Sequence, residues 1–270
     1  MHRRELLKQS AWGAIAALPL PLLGAACRQT SVAKASGTQS DPEAPARPLK
    51  RPANGEAIRT AVLISDGAVV IDFAGPWEVF SGAMPGGRMD VPTFKLYMVS
   101  ESAKPVKAGG GMTIIPDYTL VNAPQPHVIV IPAQSNDSPA VLEWIRHASA
   151  TADLTMSVCT GAFILAKTGL LDGKSATTHH GAYGDLAQAY PRVRVQRGVR
   201  YVEDGNLATS GGLSCGIDLA LRVVERYYGR QTASESASNL EYQSDGWLRP
   251  SASHVYADTR PSDTGSIDRI

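Results

Sequence analysis

Three short runs of consecutive apolar residues, each followed by turn residues and a helical pattern, constrain the fold more than any other feature of the chain. Residues 60–64 read TAVLI, residues 127–132 read HVIVIP and residues 154–158 read LTMSV. Strands without alternation between apolar and polar side chains are buried on both faces, which is typical of parallel sheets covered by helices. The sequence therefore predicts an α/β fold, a three-layer sandwich with a mostly parallel sheet and helices on both faces.

The rest of the folded part continues this alternation of strands and helices. The final helix is amphipathic, with Ile217, Leu221 and Val224 on its inward face. The further predicted elements are a helix opened by Gly75-Pro76, a strand over 94–100, an extended or hairpin segment over 112–120, a helix begun by Ser138-Pro139, helices over 162–171 and 181–189, a hairpin-like pair over 199–202 and 207–210, and the final helix over 214–228.

The N-terminal residues have the order of an export signal. Arg3 and Arg4 form a twin-arginine region, an apolar run interrupted by two prolines follows, and small residues precede Cys27 in a loose lipobox. We expect residues 1–27 to be a twin-arginine signal peptide and residues 28–58, rich in Ser, Ala, Pro and Gly, to be a disordered tether. The protein is then periplasmic, and it is membrane-anchored only if Cys27 is lipidated.

Charge and cysteine content narrow the functional classes. The 26 Lys and Arg residues balance 25 Asp and Glu residues, for a net charge of +1. No basic face for nucleic acid is therefore expected, and a small-molecule partner is favoured. Two cysteines remain after the predicted signal, Cys159 and Cys215, so the chain is not a disulfide scaffold. Cys215, at the start of the last helix, is expected to belong to the core.

The candidate nucleophile is Cys159, between a buried strand and a helix in the stretch SVCTGA. Gly161 permits a sharp turn there, so the pattern is the cysteine counterpart of a nucleophile elbow. A position at a helix N-terminus predicts a lowered thiol pKa. Asp72, placed just before the predicted Gly75-Pro76 helix, is either a helix cap or a partner of the thiol. The loop carrying Ala133 and Gln134 is a candidate anion-binding pocket.

Several of these stretches together resemble the ThiJ/PfpI superfamily. They are Asp72 five residues after Gly67, the Gly75-Pro76 start followed by EVF, the elbow SVCTGA, the stretch ATTH ending at His179, and DGNLATSGG with GIDLAL. The resemblance covers residues 59–229 and leaves residues 230–270 as a C-terminal helix or extension and tail. It implies a glutamine amidotransferase-like α/β sandwich of the flavodoxin-like kind and, as in its fold relatives, a homodimer.

Within the superfamily the sequence is most similar to members that hydrate isonitriles. That resemblance implies a hydro-lyase in which Cys159 is the nucleophile, Asp72 is its hydrogen-bonded acid and Thr160 lines the pocket, without metal or organic cofactor. Ala133, Gln134 and Gly161 are candidate oxyanion-pocket residues, and His179 either contributes to the site or caps a helix. The alternatives are a glyoxalase-like, deglycase-like or amidase activity, and a redox or ligand sensor based on Cys159. A regulator would need a helix-turn-helix, which the polar residues 231–270 do not predict.

Overall fold

The structure is a computed structural model that describes residues 47–249 except residues 89, 91 and 92. The predicted export signal, Cys27 and most of the predicted tether lie outside the described residues, as do residues 250–270. The strands are β1 (Ile58–Leu63), β2 (Phe94–Ser100), β3 (Val106–Lys107), β4 (Thr113–Ile114), β5 (Tyr118–Thr119), β6 (Val128–Ile131), β7 (Leu154–Val158), β8 (Ser175–Ala176), β9 (Arg194–Val195), β10 (Tyr201–Asp204) and β11 (Leu207–Ser210). The α-helices are α1 (Val70–Ser81), α2 (Pro139–Ser149), α3 (Gly161–Lys167), α4 (Tyr183–Ala189), α5 (Cys215–Tyr228) and α6 (Arg230–Asn239).

The central sheet has the strand order β10-β11-β7-β6-β1-β2-β5 within the described residues. Its strands pair in parallel except for the antiparallel pair β10 and β11. In this sheet β2 lies on one side of β1, whereas β6 and β7 lie on its other side. The order of the strands therefore reverses between β1 and β6. In open α/β sheets, ligands usually bind in the crevice at the carboxyl ends of two such neighbouring strands.

Alternate side chains of the apolar strands enter two separate cores. In β6, Val128 and Val130 face the core that is covered by α1, α5 and α6, whereas Ile129 and Ile131 face the core that is covered by α2, α3 and α4. All four side chains are fully buried. This division confirms the predicted three-layer sandwich, because a strand buried on both faces requires helices on both sides of the sheet.

The first helix begins earlier than the sequence predicts. Pro76 was expected to open it, but α1 begins at Val70 and contains Pro76 in its interior. Proline removes one helical hydrogen bond, a loss that tertiary packing must offset. α5 supplies that packing: Gly75 lies against Ile217, and Gly216 lies beside Pro76. Asp72 consequently lies in the first turn of α1 rather than in the preceding loop.

Other boundaries also differ from the prediction. The helix expected over 162–171 ends at Lys167, and the segment 112–120 contains two short strands that pair with β3 and β2 rather than with each other. The hairpin of β10 and β11 is confirmed, but β11 also joins the main sheet beside β7. None of the helices in the described part of the chain is long and apolar enough to cross a bilayer.

Candidate functional site

Cys159 occupies the turn between β7 and α3. Its φ angle is 57°, a left-handed conformation that non-glycine residues seldom adopt. The turn is held from both sides: the Cys159 N–H donates to the carbonyl of Gly211 at 3.0 Å, and the Thr178 hydroxyl donates to the Cys159 carbonyl at 2.9 Å. Only 8% of Cys159 is exposed. Such strain in a buried, hydrogen-bonded turn is typical of functional positions.

Gly161 lets α3 approach the end of the neighbouring strand. A Cβ atom at this position would overlap the carbonyl oxygens of Ile131 and Pro132. Any larger residue would therefore push the start of α3 away from β6. The role of Gly161 in the structure is close backbone packing beneath the thiol.

The Asp72 carboxyl lies beside the Cys159 thiol, close enough for a hydrogen bond between the two side chains to affect the pKa of Asp72. Asp72 is fully buried. The Ala133 N–H donates to its Oδ2 at 3.2 Å, while Oδ1 lacks a well-directed hydrogen bond from the described residues. One carboxylate oxygen is thus fixed by the backbone and the other is available for proton exchange.

Burial sets the protonation of this pair. It raises the pKa of Asp72 to about 6, although hydrogen bonds from Ala133, Cys159 and Leu213 oppose the shift. Burial and then the negative charge of Asp72 raise the pKa of Cys159 to about 12, against the lowering effect of Thr160 and Leu213. The sequence-based expectation of a lowered thiol pKa is wrong, because desolvation outweighs the helix N-terminus. At neutral pH the proton therefore resides on sulfur and Asp72 is ionised.

The other predicted site residues have different positions. The backbone and hydroxyl of Thr160 both lie at the thiol. The Ala133 N–H is engaged by Asp72 rather than directed to an oxyanion pocket, and the Gln134 side-chain amide donates to the Leu63 carbonyl at 3.2 Å. His179 caps the short 3₁₀ helix His180–Ala182, as the capping alternative predicts, because its Nδ1 accepts from the N–H of Gly181 at 3.2 Å.

Sequence reasoning missed Leu213. Its N–H interacts with both the Asp72 carboxyl and the Cys159 thiol. Leu213 has a φ angle of 53°, and it directly follows Gly211 and Gly212. Gly212 packs so closely on His179 that a Cβ atom would overlap the ring. The pair of glycines before Leu213 is the one sequence signal of a close backbone approach here.

Cys215 lies near the site rather than deep in the core. It is partly exposed, and its Sγ is 3.0 Å from the position that a Cβ atom of Gly211 would occupy. Burial raises its pKa to about 11. Among the described residues, no group of three or more His, Cys, Asp or Glu side chains is arranged to hold a metal ion.

Comparison with known proteins identifies a family, related sequences and a solved structure that resemble this chain. The DJ-1/PfpI family model matches residues 58–226. An isonitrile hydratase of Pseudomonas putida is 33% identical over 191 residues, which cover 69% of this chain and 79% of that protein. The HTH-type transcriptional regulator CdhR of Pseudomonas aeruginosa is 27% identical over 62% of this chain but only 50% of its own length. The crystal structure of a ThiJ/PfpI family protein from Pseudomonas syringae superposes with a TM-score of 0.62 at 28% identity, covering 70% of this chain and 76% of that one.

Proposed function

Since the chain belongs to the DJ-1/PfpI family, we propose that it is an enzyme that hydrates isonitriles through a thioadduct on Cys159. The observation that carries the proposal is the pairing of the strained Cys159 thiol with the buried Asp72 carboxyl, whose pKa of about 6 lies close to neutrality. A carboxyl with such a pKa is suited to accept and return a proton near pH 7. The similarity to an isonitrile hydratase directs the choice of substrate.

In the proposed first step, Asp72 takes the proton from the Cys159 thiol as sulfur attacks the terminal isonitrile carbon. Asp72 then delivers this proton to the same carbon, which gives a thioimidate with a new sulfur–carbon bond. The thiol pKa of about 12 means that free thiolate is scarce, so attack must be coupled to proton transfer to Asp72. The Leu213 N–H and the Thr160 hydroxyl and N–H stabilise the charge on sulfur.

In the second step, water adds to the thioimidate carbon and the substrate nitrogen gains a proton. The resulting tetrahedral adduct expels sulfur, the thiol regains its proton and an N-substituted formamide leaves. The net reaction converts an isonitrile and water to a formamide, and Cys159 and Asp72 return to their starting protonation states. Asp72 therefore acts as general base and then as general acid.

The raised thiol pKa favours this enzyme over the redox-sensor alternative. Oxidant-sensing cysteines rely on a thiolate that is already formed at neutral pH. Cys159 is held protonated by burial and by the charge of Asp72. A substrate-coupled proton transfer suits such a thiol better than spontaneous oxidation does.

Formamide production from a simple alkyl or aryl isonitrile tests the proposal. We expect turnover by the full chain, none by Cys159→Ala, and a loss of at least about 10²-fold in Asp72→Asn, the range for one acid–base group. Cys215→Ala is the matched control for loss of a thiol and should retain turnover. If Cys159→Ala hydrates the substrate as fast as the unmodified protein, the proposal is wrong.

We also propose that the protein is exported by the twin-arginine route to the periplasm. The support is the sequence around Arg3 and Arg4. Replacing both arginines by lysine should retain the protein in the cytoplasmic fraction, as judged by cell fractionation. Unchanged periplasmic protein in this variant would contradict the proposal.

The resemblance to the family further leads us to propose a homodimer. Sedimentation velocity of the purified protein should then give twice the monomer mass at micromolar concentration. A single species of monomer mass across that range would contradict it.

A further inference from the structure

The segment that follows the family match returns to the site. After α6 the chain continues as a strap, Tyr242–Leu248, which we call the C-terminal strap. It is anchored at both ends: the Tyr242 N–H donates to the Ala237 carbonyl at 2.9 Å, and the Tyr201 hydroxyl donates to the Trp247 carbonyl at 2.8 Å. Only 4% of Trp247 is exposed. The strap is thus fixed to the folded domain, although it lies beyond residue 226, where the family match ends.

The Tyr242 hydroxyl contacts the loop that borders the thiol. It donates to the Ser214 carbonyl at 3.3 Å and accepts from the Arg200 guanidinium at 3.4 Å. Ser214 directly follows Leu213, whose N–H interacts with both reacting side chains. The phenol therefore holds the second peptide after the one that carries this N–H, within the same turn.

Arg200 holds the other end of the same loop. Its carbonyl accepts from the Gly211 N–H at 2.9 Å, and the Gly211 carbonyl in turn accepts from the Cys159 N–H. Its guanidinium pairs with Asp218, a fully buried carboxylate on α5. Gly246 of the strap packs so closely on Arg200 that a Cβ atom would overlap its side chain. The strap therefore fixes Arg200 as well as Ser214.

We propose that Tyr242 is a positioning residue for the Cys159 reaction, whose hydroxyl holds the loop Gly211–Ser214 so that the Leu213 N–H points at the thiol and at Asp72. The strap outside the family match thereby completes the site. The turnover part of the test rests on the proposed isonitrile hydration. The alkylation part does not, because it reports on Cys159 directly.

The test is Tyr242→Phe, which removes the hydroxyl and keeps the ring. With an isonitrile substrate, we expect kcat to fall about tenfold while KM changes less than twofold, because the Leu213 N–H acts on charge that develops during the reaction. Loss of that N–H also raises the pKa of Asp72, so the acidic limb of the kcat/KM profile, which reports the substrate-free protein, moves upward from about pH 6. Alkylation of the Cys159 peptide by iodoacetamide at pH 9, followed by mass spectrometry, should slow about threefold, equivalent to half a pKa unit.

Tyr228→Phe is the matched control. The Tyr228 hydroxyl donates to the Thr93 carbonyl at 3.1 Å, so this variant also loses one tyrosine hydroxyl and one backbone hydrogen bond. We expect a similar small decrease in Tm for both variants, but an unchanged pH limb and alkylation rate for Tyr228→Phe. A general loss of stability would affect the two variants alike.

The results separate this inference from the proposed function. If the unmodified protein does not hydrate isonitriles, the proposed function fails, while slower alkylation in Tyr242→Phe alone still supports the positioning role. If Tyr242→Phe has the alkylation rate of Tyr228→Phe, the positioning role is refuted. A lower kcat in Tyr242→Phe without movement of the pH limb refutes it too.

Discussion

Asp72→Asn should lower the activity of the protein, and it should also change how the free energy of unfolding depends on pH. Burial raises the pKa of this carboxyl from 3.8 to about 6 on folding. Between these values the folded state binds more protons at Asp72 than the unfolded state does, so the contribution of Asp72 to stability is fully present below pH 3.8 and is lost as pH rises through about 6. A shift of about two units corresponds to roughly 3 kcal/mol in total, of which about 2 kcal/mol is lost between pH 4.5 and 7.5.

The assay is guanidinium unfolding of the unmodified protein and of Asp72→Asn at these two pH values. The stability difference between the two proteins should shift by about 2 kcal/mol in favour of the variant at pH 7.5. Comparing the two pH values cancels any constant cost of placing an amide beside the Leu213 N–H. The matched control is Asp90→Asn, since the exposed Asp90 pairs with Arg88, which lowers the pKa of Asp90. Asp90 is therefore ionised in both the folded and the unfolded state at these two pH values, and the effect of Asp90→Asn on stability should be the same at both. Parallel pH dependences for Asp72→Asn and the unmodified protein would refute the reasoning.

Three further predictions concern the turn and its chemistry. Gly161→Ala should lower the free energy of unfolding by about 2 kcal/mol in guanidinium, because the added Cβ would overlap two carbonyl oxygens. Gly184→Ala, at a position in α4 with open space around it, should instead raise the free energy of unfolding by about 0.5 kcal/mol. Equal effects of the two substitutions would contradict the close-packing role of Gly161. Thr178→Val should lower the free energy of unfolding by about 1 kcal/mol and slow turnover, because the Cys159 carbonyl loses its hydrogen bond from the Thr178 hydroxyl. Thr168→Val loses a comparable buried hydrogen bond at the end of α3 and should leave turnover unchanged. The kcat/KM for isonitrile hydration should rise with pH through about 6 and then level off, because Asp72 must be ionised to accept the thiol proton. A flat profile from pH 5 to 8 would exclude Asp72 as the base.

The sequence predicts the architecture because burial on both faces is visible in the composition of single strands. The runs 127–132 and 154–158 have no polar alternation, and each precedes a helical pattern. Neighbouring residues also predict that Cys159 lies at a turn, since Gly161 permits the start of α3 to approach the backbone after β6. The locations of these strands and the position of the candidate nucleophile are therefore properties of short segments.

The start of α1 could not be predicted from its own residues. Local rules place Pro76 at a helix start. In the structure Pro76 is interior, because α5 packs against this face through Gly216 and Ile217. A contact between segments 140 residues apart in sequence leaves no local signal in either of them.

The sequence by itself thus determined the three-layer fold and the position of Cys159 at a turn, and it left open whether Asp72 caps a helix or lies beside the thiol. The tertiary structure decided their protonation, because the desolvation that raises both pKa values comes from every element packed around them. It also brought the Leu213 N–H to Asp72 and Cys159, two residues that are distant from Leu213 in the sequence. The pattern of apolar residues in the sequence indicates which segments are buried, whereas the pKa values of side chains depend on the groups that surround them in space.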